Sequence, residues 1–370
     1  MKVLIFSLAY IPFVGGAELA IKDLTDRIGG IEFDLITTNL DGKQKAIEKI
    51  GNVNVHRIGN GFFAKYFFPL MALKYAETLH QKNQYDAIWS LMANQAGLAA
   101  MKFKKRNPKV KYILTLQEGD SLKRIWSRTF FMRSSYKKIY TTADRIQAIS
   151  NYLAKRAVKY GFKKPVDILP NGVDLNHFKK LSQPEILEMR EKLGITDRDF
   201  VVISASRLVN KNGLDTLIKS VKNLDVKVIL IGRGNQEIKL KSLAQELGVR
   251  DKILFLGHIE PQAVPKYLSI ADIFVRPSRS EGLGSAFLEA MAMELPVIGT
   301  KVGGIPDFLK HEETGLFCEV GNPTDLANQI DLLINDKDLK DKIISNGKKL
   351  VEEQYNWDNL AKKMKVIIAE

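Results

Sequence analysis

The chain has 370 residues, 45% apolar and 26% charged, with one cysteine and a formal net charge of +14. This length is long for one core and natural for two; a single cysteine excludes an internal disulfide and a cysteine-built zinc site, and no run reaches the roughly 20 apolar residues that span a bilayer. The charge is lopsided, with 28 Lys and Arg against 13 Asp and Glu in residues 1–170 and 28 against 29 in the rest.

The opening VLIFSLAY has the look of a signal-peptide core. GGAE and an amphipathic stretch follow it without a small-residue cleavage pattern, so the run reads as a buried parallel strand. Further strands are predicted at FDLITT, NVHRI, YDAIWS, KYILTL, RIQAIS and VDILP, with helices between them, among them Ala17 to Ile28 and Tyr152 to Tyr160. The segment KKPVDILPNGVDLNHF breaks structure at Pro165, Pro170, Asn171 and Gly172, and a charged helical segment follows. The second half repeats the alternation with FVVISAS, KVILIG, KILFLG, DIFVRP, PVIGT and GLFCE, and ends in two helices hinged around QYNWDN. Strand–helix alternation, carried out twice, predicts two doubly wound Rossmann-like parallel-sheet domains facing across a cleft. The boundary falls between residues 172 and 173.

The most informative run is RPSRSEGLGSAFLEAMAMELPVIGT. A strand ends near Val275, a polar loop carries Glu281 and Gly284, and a helix starts near Ser285. The first N–H groups of a helix have no partner and attract phosphate. Glu289 follows one turn later among Ala286, Phe287, Leu288, Ala290 and Met291, where an unpaired carboxylate is costly. Such a group accepts two hydroxyls, as from a ribose, or pairs with a core Arg or a backbone N–H. Upstream, FVVISAS runs into RLVNKNG, which puts Arg207 and Lys211 before a helix, either as a diphosphate site or as a solvated basic loop. Gly15 and Gly16 of GGAE stand at another strand-to-helix turn, and Gly232 and Arg233 of GRG follow KVILIG without the third glycine of a dinucleotide fingerprint. The Asp197-Arg198-Asp199 and Asp336-Lys337-Asp338 triplets read as turns or caps, and no metal site is expected. The stretch GFFAKYFFPLMALKYAETLH reads as core or interface, with a membrane-surface patch as the sharper alternative given KFKKRNPKVK and SLKRIWSRTFFMRSSYKK nearby.

Taken together, these runs resemble the retaining glycosyltransferases of family 4, which have the two-Rossmann GT-B fold. The resemblance covers nearly the whole chain. Its most specific part is E-x7-E, here Glu281 and Glu289, with GGAE, ISNYLAKRA, ILPNGVD, SASRLVNKNGLDTLI, VILIGRGN, FLGHIE and TKVGGIPDFL around it in the family's order. It implies a sugar transferase that forms an α-glycosidic bond without metal or cofactor, using a UDP- or GDP-type nucleotide sugar as donor and a glycan or lipid-linked sugar as acceptor. Glu281 would hold donor-sugar hydroxyls and Glu289 the ribose. Arg207 and Lys211 would neutralise the diphosphate, Gly284, Ser285 and Ala286 would offer it N–H groups, and Gly16 would cap it. The backbone at His258 and Ile259 would meet the base. A final helix, at residues 356–370, would cross back to the first domain.

Two departures stand out. Gln117 and Glu118 follow KYILTL where many relatives place a His, and Asn212 stands directly before Gly213, where a cation is usual. The alternatives are a nucleotide-sugar epimerase or phosphorylase of similar architecture, and a basic binder of nucleic acid or membrane without catalysis. No RNA-binding aromatic signature is present, so the basic half suits a phosphorylated acceptor or an anionic membrane surface better than nucleic acid. The expected location is cytoplasmic, peripheral on the inner face of the membrane.

Overall fold

The computed structural model describes residues 1–13, 15–61, 63–120 and 133–370. Val14, Phe62 and residues 121–132, which hold most of the basic run SLKRIWSRTFFMRSSYKK, lie outside them. The chain divides into two compact units, Met1–Asn171 with Trp357–Glu370, and Gly172–Asn356.

The first unit contains β1 (Lys2–Phe6), β2 (Glu32–Asn39), β3 (Ile47–Ile50), β4 (Val53–Asn60), β5 (Ala87–Leu91), β6 (Lys111–Leu116), β7 (Arg145–Ala148) and β8 (Asp167–Ile168). They form one sheet in the order β3-β4-β2-β1-β5-β6-β7-β8. Every pairing is parallel except that of β3 with β4. Helices cover the sheet, so β1 and β5 are buried on both sides and read as unbroken apolar runs. The helix Gly16–Arg27 packs Ala17, Ala20, Ile21 and Leu24 into one core with Trp357, Leu360, Ala361 and Met364 of the last helix, Trp357–Ala369. Each of those larger side chains contributes roughly 1.5–3 kcal/mol by leaving water.

The strand β3 is absent from the sequence reading. IEKI alternates exposed and half-buried positions at the sheet edge, so it lacks the apolar run that marks its neighbours. Its signal is the Gly51-Asn52 turn into β4, which closes a two-residue hairpin with Ile50 opposite Val53.

The second unit contains β9 (Val201–Ala205), β10 (Lys227–Ile231), β11 (Ile253–Gly257), β12 (Ile273–Val275), β13 (Val297–Thr300) and β14 (Leu316–Cys318), in the order β11-β10-β9-β12-β13-β14. All five pairings are parallel. The strand order reverses between β9 and β12, and ligands of such sheets bind at the carboxyl ends of the strands beside that switch point. The architecture is therefore two parallel-sheet α/β units, the fold class expected from the alternation. Both Asp triplets have local duties: Asp199 accepts the Thr196 N–H and hydroxyl, and Asp336 caps the helix Lys337–Gln354.

Candidate active site at the carboxyl edge of the second sheet

The loops that leave β9 and β12 carry most of the expected site residues, and they hold each other. After β9 the chain exposes Arg207, turns through Asn210–Asn212 and enters the helix Leu214–Ser220. Asn212 is buried, and its amide donates to the Arg207 carbonyl at 2.7 Å. The residue in the place of a cation thus serves as the peg of the loop. Gly213 has φ +70°, and a Cβ there would lie 1.9 Å from the Pro277 carbonyl oxygen, so only glycine lets the β12 loop come this close. The Lys211 carbonyl accepts the Arg279 N–H at 2.7 Å.

Arg279 completes the lock. Its guanidinium grips Asp215 with two bonds of 2.8 and 2.7 Å and gives a third, of 2.8 Å, to the Asn210 carbonyl. Burial works against the charge on Asp215, but the Arg279 fork outweighs it and holds that carboxyl below its ordinary range. Among the described residues Arg207 makes no ion pair, so one cation of this edge is committed to structure while another stays available.

The loop after β12 turns on Arg276, a buried residue whose Nη2 donates to Glu281 Oε2 at 2.7 Å. The other oxygen, Oε1, accepts the Gly282 N–H at 3.1 Å. Arg276 also lies over the Phe287 ring, 5.0 Å from its centre. Glu281 is therefore oriented from both oxygens. From the β13 side, Gly303 (φ +57°) presses on the same residue: a Cβ there would meet the Glu281 carbonyl oxygen at 1.8 Å. Gly284, in the left-handed region, caps the helix Ser285–Ala292, which opens with the N–H groups of Ser285 and Ala286.

Glu289 is built differently. Its carboxylate has no hydrogen-bond donor among the described residues, and the core Arg that could have paired with it, Arg276, bonds Glu281 instead. Burial against the apolar helix pushes its pKa up to about 7, opposed by the charges of Arg276 and His177. His177 comes from the segment after ILPNGVD, and its Nε2 lies 3.2 Å from the Pro261 carbonyl.

Gly232 and Arg233 leave β10 next to this edge. Gly232 has φ +128°, its N–H donates to the Gly257 carbonyl at 2.6 Å, and its Cα faces the Ser206 carbonyl too closely for any side chain. Arg233 is exposed, and its carbonyl accepts the Leu208 N–H. His258 and Ile259 follow β11; the imidazole is exposed and sits 3.3 Å from Glu260. One sheet edge thus collects Arg207, Lys211, Gly232, Arg233, His258, Ile259, Glu281, Gly284, Ser285, Ala286 and Glu289. The sequence reading missed the residues that fix them: Arg276, Arg279, Asp215 and His177. The available signal was two arginines just before the Glu-bearing turn and one Asp in the first turn of the helix after RLVNKNG.

Gly15 and Gly16 belong to the first unit, at the start of Gly16–Arg27. The Gly15 N–H is taken by Glu18 Oε2 at 2.8 Å, while a Cβ on Gly16 would meet open space. Past β6, Gln117 accepts from the Asn171 amide at 3.3 Å. Glu118 accepts the Ala93 N–H at 2.6 Å with Oε1, and its Oε2 is buried without a partner. Burial raises the pKa of Glu118, against the pull of the Arg156 charge.

Comparison with known proteins supplies the family. The family described as "Glycosyl transferases group 1" matches residues 185–350, and "Glycosyltransferase Family 4" matches residues 14–177. The chain is similar to an uncharacterized glycosyltransferase of Methanocaldococcus jannaschii, with 30% identity over 98% of this chain and 96% of that one. It is also 30% identical, over 81% of its own length and 80% of the relative's, to the GDP-mannose-dependent monoacylated alpha-(1-6)-phosphatidylinositol monomannoside mannosyltransferase of Corynebacterium glutamicum. In fold it is similar to sucrose-phosphate synthase from Thermosynechococcus elongatus, with a TM-score of 0.86, 19% identity, and coverage of 100% of this chain and 98% of that one. With both halves matched in order and a relative aligned end to end, the chain belongs to the family 4 glycosyltransferases of the GT-B fold.

Proposed function

We propose that this glycosyltransferase moves a sugar from a nucleotide-diphosphate donor to a glycan or lipid-linked acceptor, keeps the anomeric configuration and forms an α-bond. The observation that carries this reading is Glu289. It is a half-buried carboxylate near Arg276 and His177, with no hydrogen-bond donor among the described residues, one turn behind a glycine-capped helix start. A ribose diol supplies the two donors that such a carboxylate lacks.

The remaining roles follow from charge and position. Arg207, Lys211 and the N–H groups of Ser285 and Ala286 meet the negative charge that builds on the leaving diphosphate, and Gly284 lets the phosphate approach the backbone. Glu281 holds donor-sugar hydroxyls, and its bonds to Arg276 and Gly282 fix its direction before the donor arrives. In front-face displacement the leaving phosphate oxygen takes the acceptor proton, so no separate base is assigned. The backbone at Gly232, Arg233, His258 and Ile259 faces the nucleoside. Gly16 of the first unit has open space over its Cα, which leaves its backbone accessible.

The test is a thermal-unfolding panel with UDP, GDP, ADP and CDP and their common sugar conjugates. A ligand at about 100 times its Kd stabilises the folded state by roughly 2.7 kcal/mol. GDP is the first candidate, because the Corynebacterium relative is named for GDP-mannose. One nucleoside diphosphate standing out supports the reading, and no shift with any of them overturns it.

A further inference from the structure

The helix Ala64–Asn83 lies on the first sheet through Ala64, Phe68, Pro69, Ala72, Leu73 and Ala76. The opposite face of such a helix is normally polar. Here its entry and first two turns point Phe63, Tyr66, Phe67 and Leu70 at solvent, with 74, 57, 63 and 62% of their surfaces exposed. Of the expected core or interface, the inner stripe is core and these four side chains are surface.

Charge accompanies the apolar patch. From Ala64 to Ala76 the helix carries Lys65 and Lys74 and no acid, and the Lys65 ammonium lies 5.0 Å from the centre of the Tyr66 ring. The loop after β2 stands beside the helix entry. The Asn39 carbonyl accepts both Gly42 and Gly61 N–H groups, at 3.3 and 2.9 Å, and the Asn39 amide holds the Gln44 carbonyl at 2.8 Å. That arrangement ties the loop carrying the exposed Lys43 and Lys45 to the helix entry at Gly61. The one acid of this loop, Asp41, is exposed too, and its carboxylate accepts bonds from the Lys43 N–H and the Gln44 amide.

We propose that this face of the first unit docks on an anionic phospholipid bilayer, with Phe63, Tyr66, Phe67 and Leu70 entering the interface and Lys43, Lys45, Lys65 and Lys74 meeting the headgroups. Large apolar side chains on a short helical face, flanked by four lysines against the exposed Asp41 and a Glu77 that pairs with Arg106, match a boundary that is apolar inside and negative at its surface. β4 runs parallel to β2 and β1, so the first turns of this helix stand at the carboxyl edge of the sheet, the edge where an acceptor would be met. Docking there brings a membrane-held acceptor to that edge. The inference does not depend on the identity of the donor.

The experiment uses the full chain without nucleotide sugar. Phosphatidylcholine vesicles with and without phosphatidylglycerol are sedimented with the protein at low and high salt. Binding is expected with phosphatidylglycerol and is expected to weaken in high salt. A triple change, Phe63→Ser, Phe67→Ser and Leu70→Ser, weakens it by at least roughly tenfold while thermal unfolding stays put, because these side chains support no core. A Trp at position 67 (Phe67→Trp) is quenched by brominated phosphatidylglycerol, whereas Ile238→Trp, at an exposed site of the second unit, is not. Absence of vesicle binding overturns the proposal, as does undiminished binding by the triple variant. Concentration-dependent self-association lost in the triple variant, in the absence of lipid, also overturns it and assigns the face to a second copy of the chain.

Discussion

At the switch point of the second sheet, the loops after β9, β12 and β13 are locked to one another. Gly213 lies against Pro277, Arg279 grips Asp215 and Asn210, and Gly303 lies against Glu281. The first sheet reverses between β1 and β5, and its corresponding edge carries a looser set: Gly16 with open space over its Cα, and Glu118 with one oxygen unpaired. The two halves share a strand order about their switch points, and the function proposed above divides the work between them. A nucleotide diphosphate is a common ligand that a pre-formed, glycine-walled edge recognises through backbone and charge. On the proposed reading an acceptor, which varies from enzyme to enzyme, would be met by the first edge, which carries individual side chains instead.

The largest expected effect tests the locked edge. Glu281→Gln keeps the shape but weakens the Arg276 pair and the grip on sugar hydroxyls. It should cut kcat by roughly 10²–10³-fold, about 3–4 kcal/mol, while the affinity for free nucleoside diphosphate, measured by calorimetry, stays unchanged. Glu289→Gln should do the reverse and weaken nucleoside diphosphate binding. Equal losses of nucleotide affinity in both variants would remove the division of roles between the two glutamates.

Gly303→Ala comes next. Its Cβ would collide with backbone at a positive φ, so the variant should lose roughly 2–3 kcal/mol in denaturant titration. Gly16→Ala meets nothing and should leave stability within about 0.5 kcal/mol of the parent. Similar losses at the two glycines would erase the contrast between the edges.

The pH dependence of Glu289 is smaller. Its folded-state pKa of about 7 lies above the ordinary 4.5, so the folded chain holds this proton more tightly than the unfolded one. The resulting stability is complete below the ordinary value and is lost as the pH rises through about 7. Unfolding between pH 5 and 8 should therefore show a decline of roughly 2 kcal/mol that Glu289→Gln removes. Nucleotide affinity should move the other way and rise with pH, because the ionised carboxylate is the better acceptor for the ribose. Arg279→Lys is expected to have the smallest effect, about 1 kcal/mol in stability, since an ammonium replaces only part of the two-pronged grip on Asp215.

By itself the sequence determined the class of fold, because buried parallel strands need unbroken apolar runs and their helices need the alternating spacing between them. It also pointed to the edge residues, partly because glycines and charged side chains stand at strand-to-helix turns and partly through the family resemblance of the motifs around them. The tertiary structure decided which group pairs with which. Arg276 could have bonded either glutamate from its place in the sequence; it bonds Glu281 and leaves Glu289 without a donor. Arg279 and Arg207 look alike as basic loop residues, yet one is spent on Asp215 and the other is not. The aromatic stretch at 61–80 divided in the same way, into an inner stripe that is core and four side chains that are surface. Pairing and exposure depend on distances between segments that are remote along the chain, and those distances exist only once the sheet has closed.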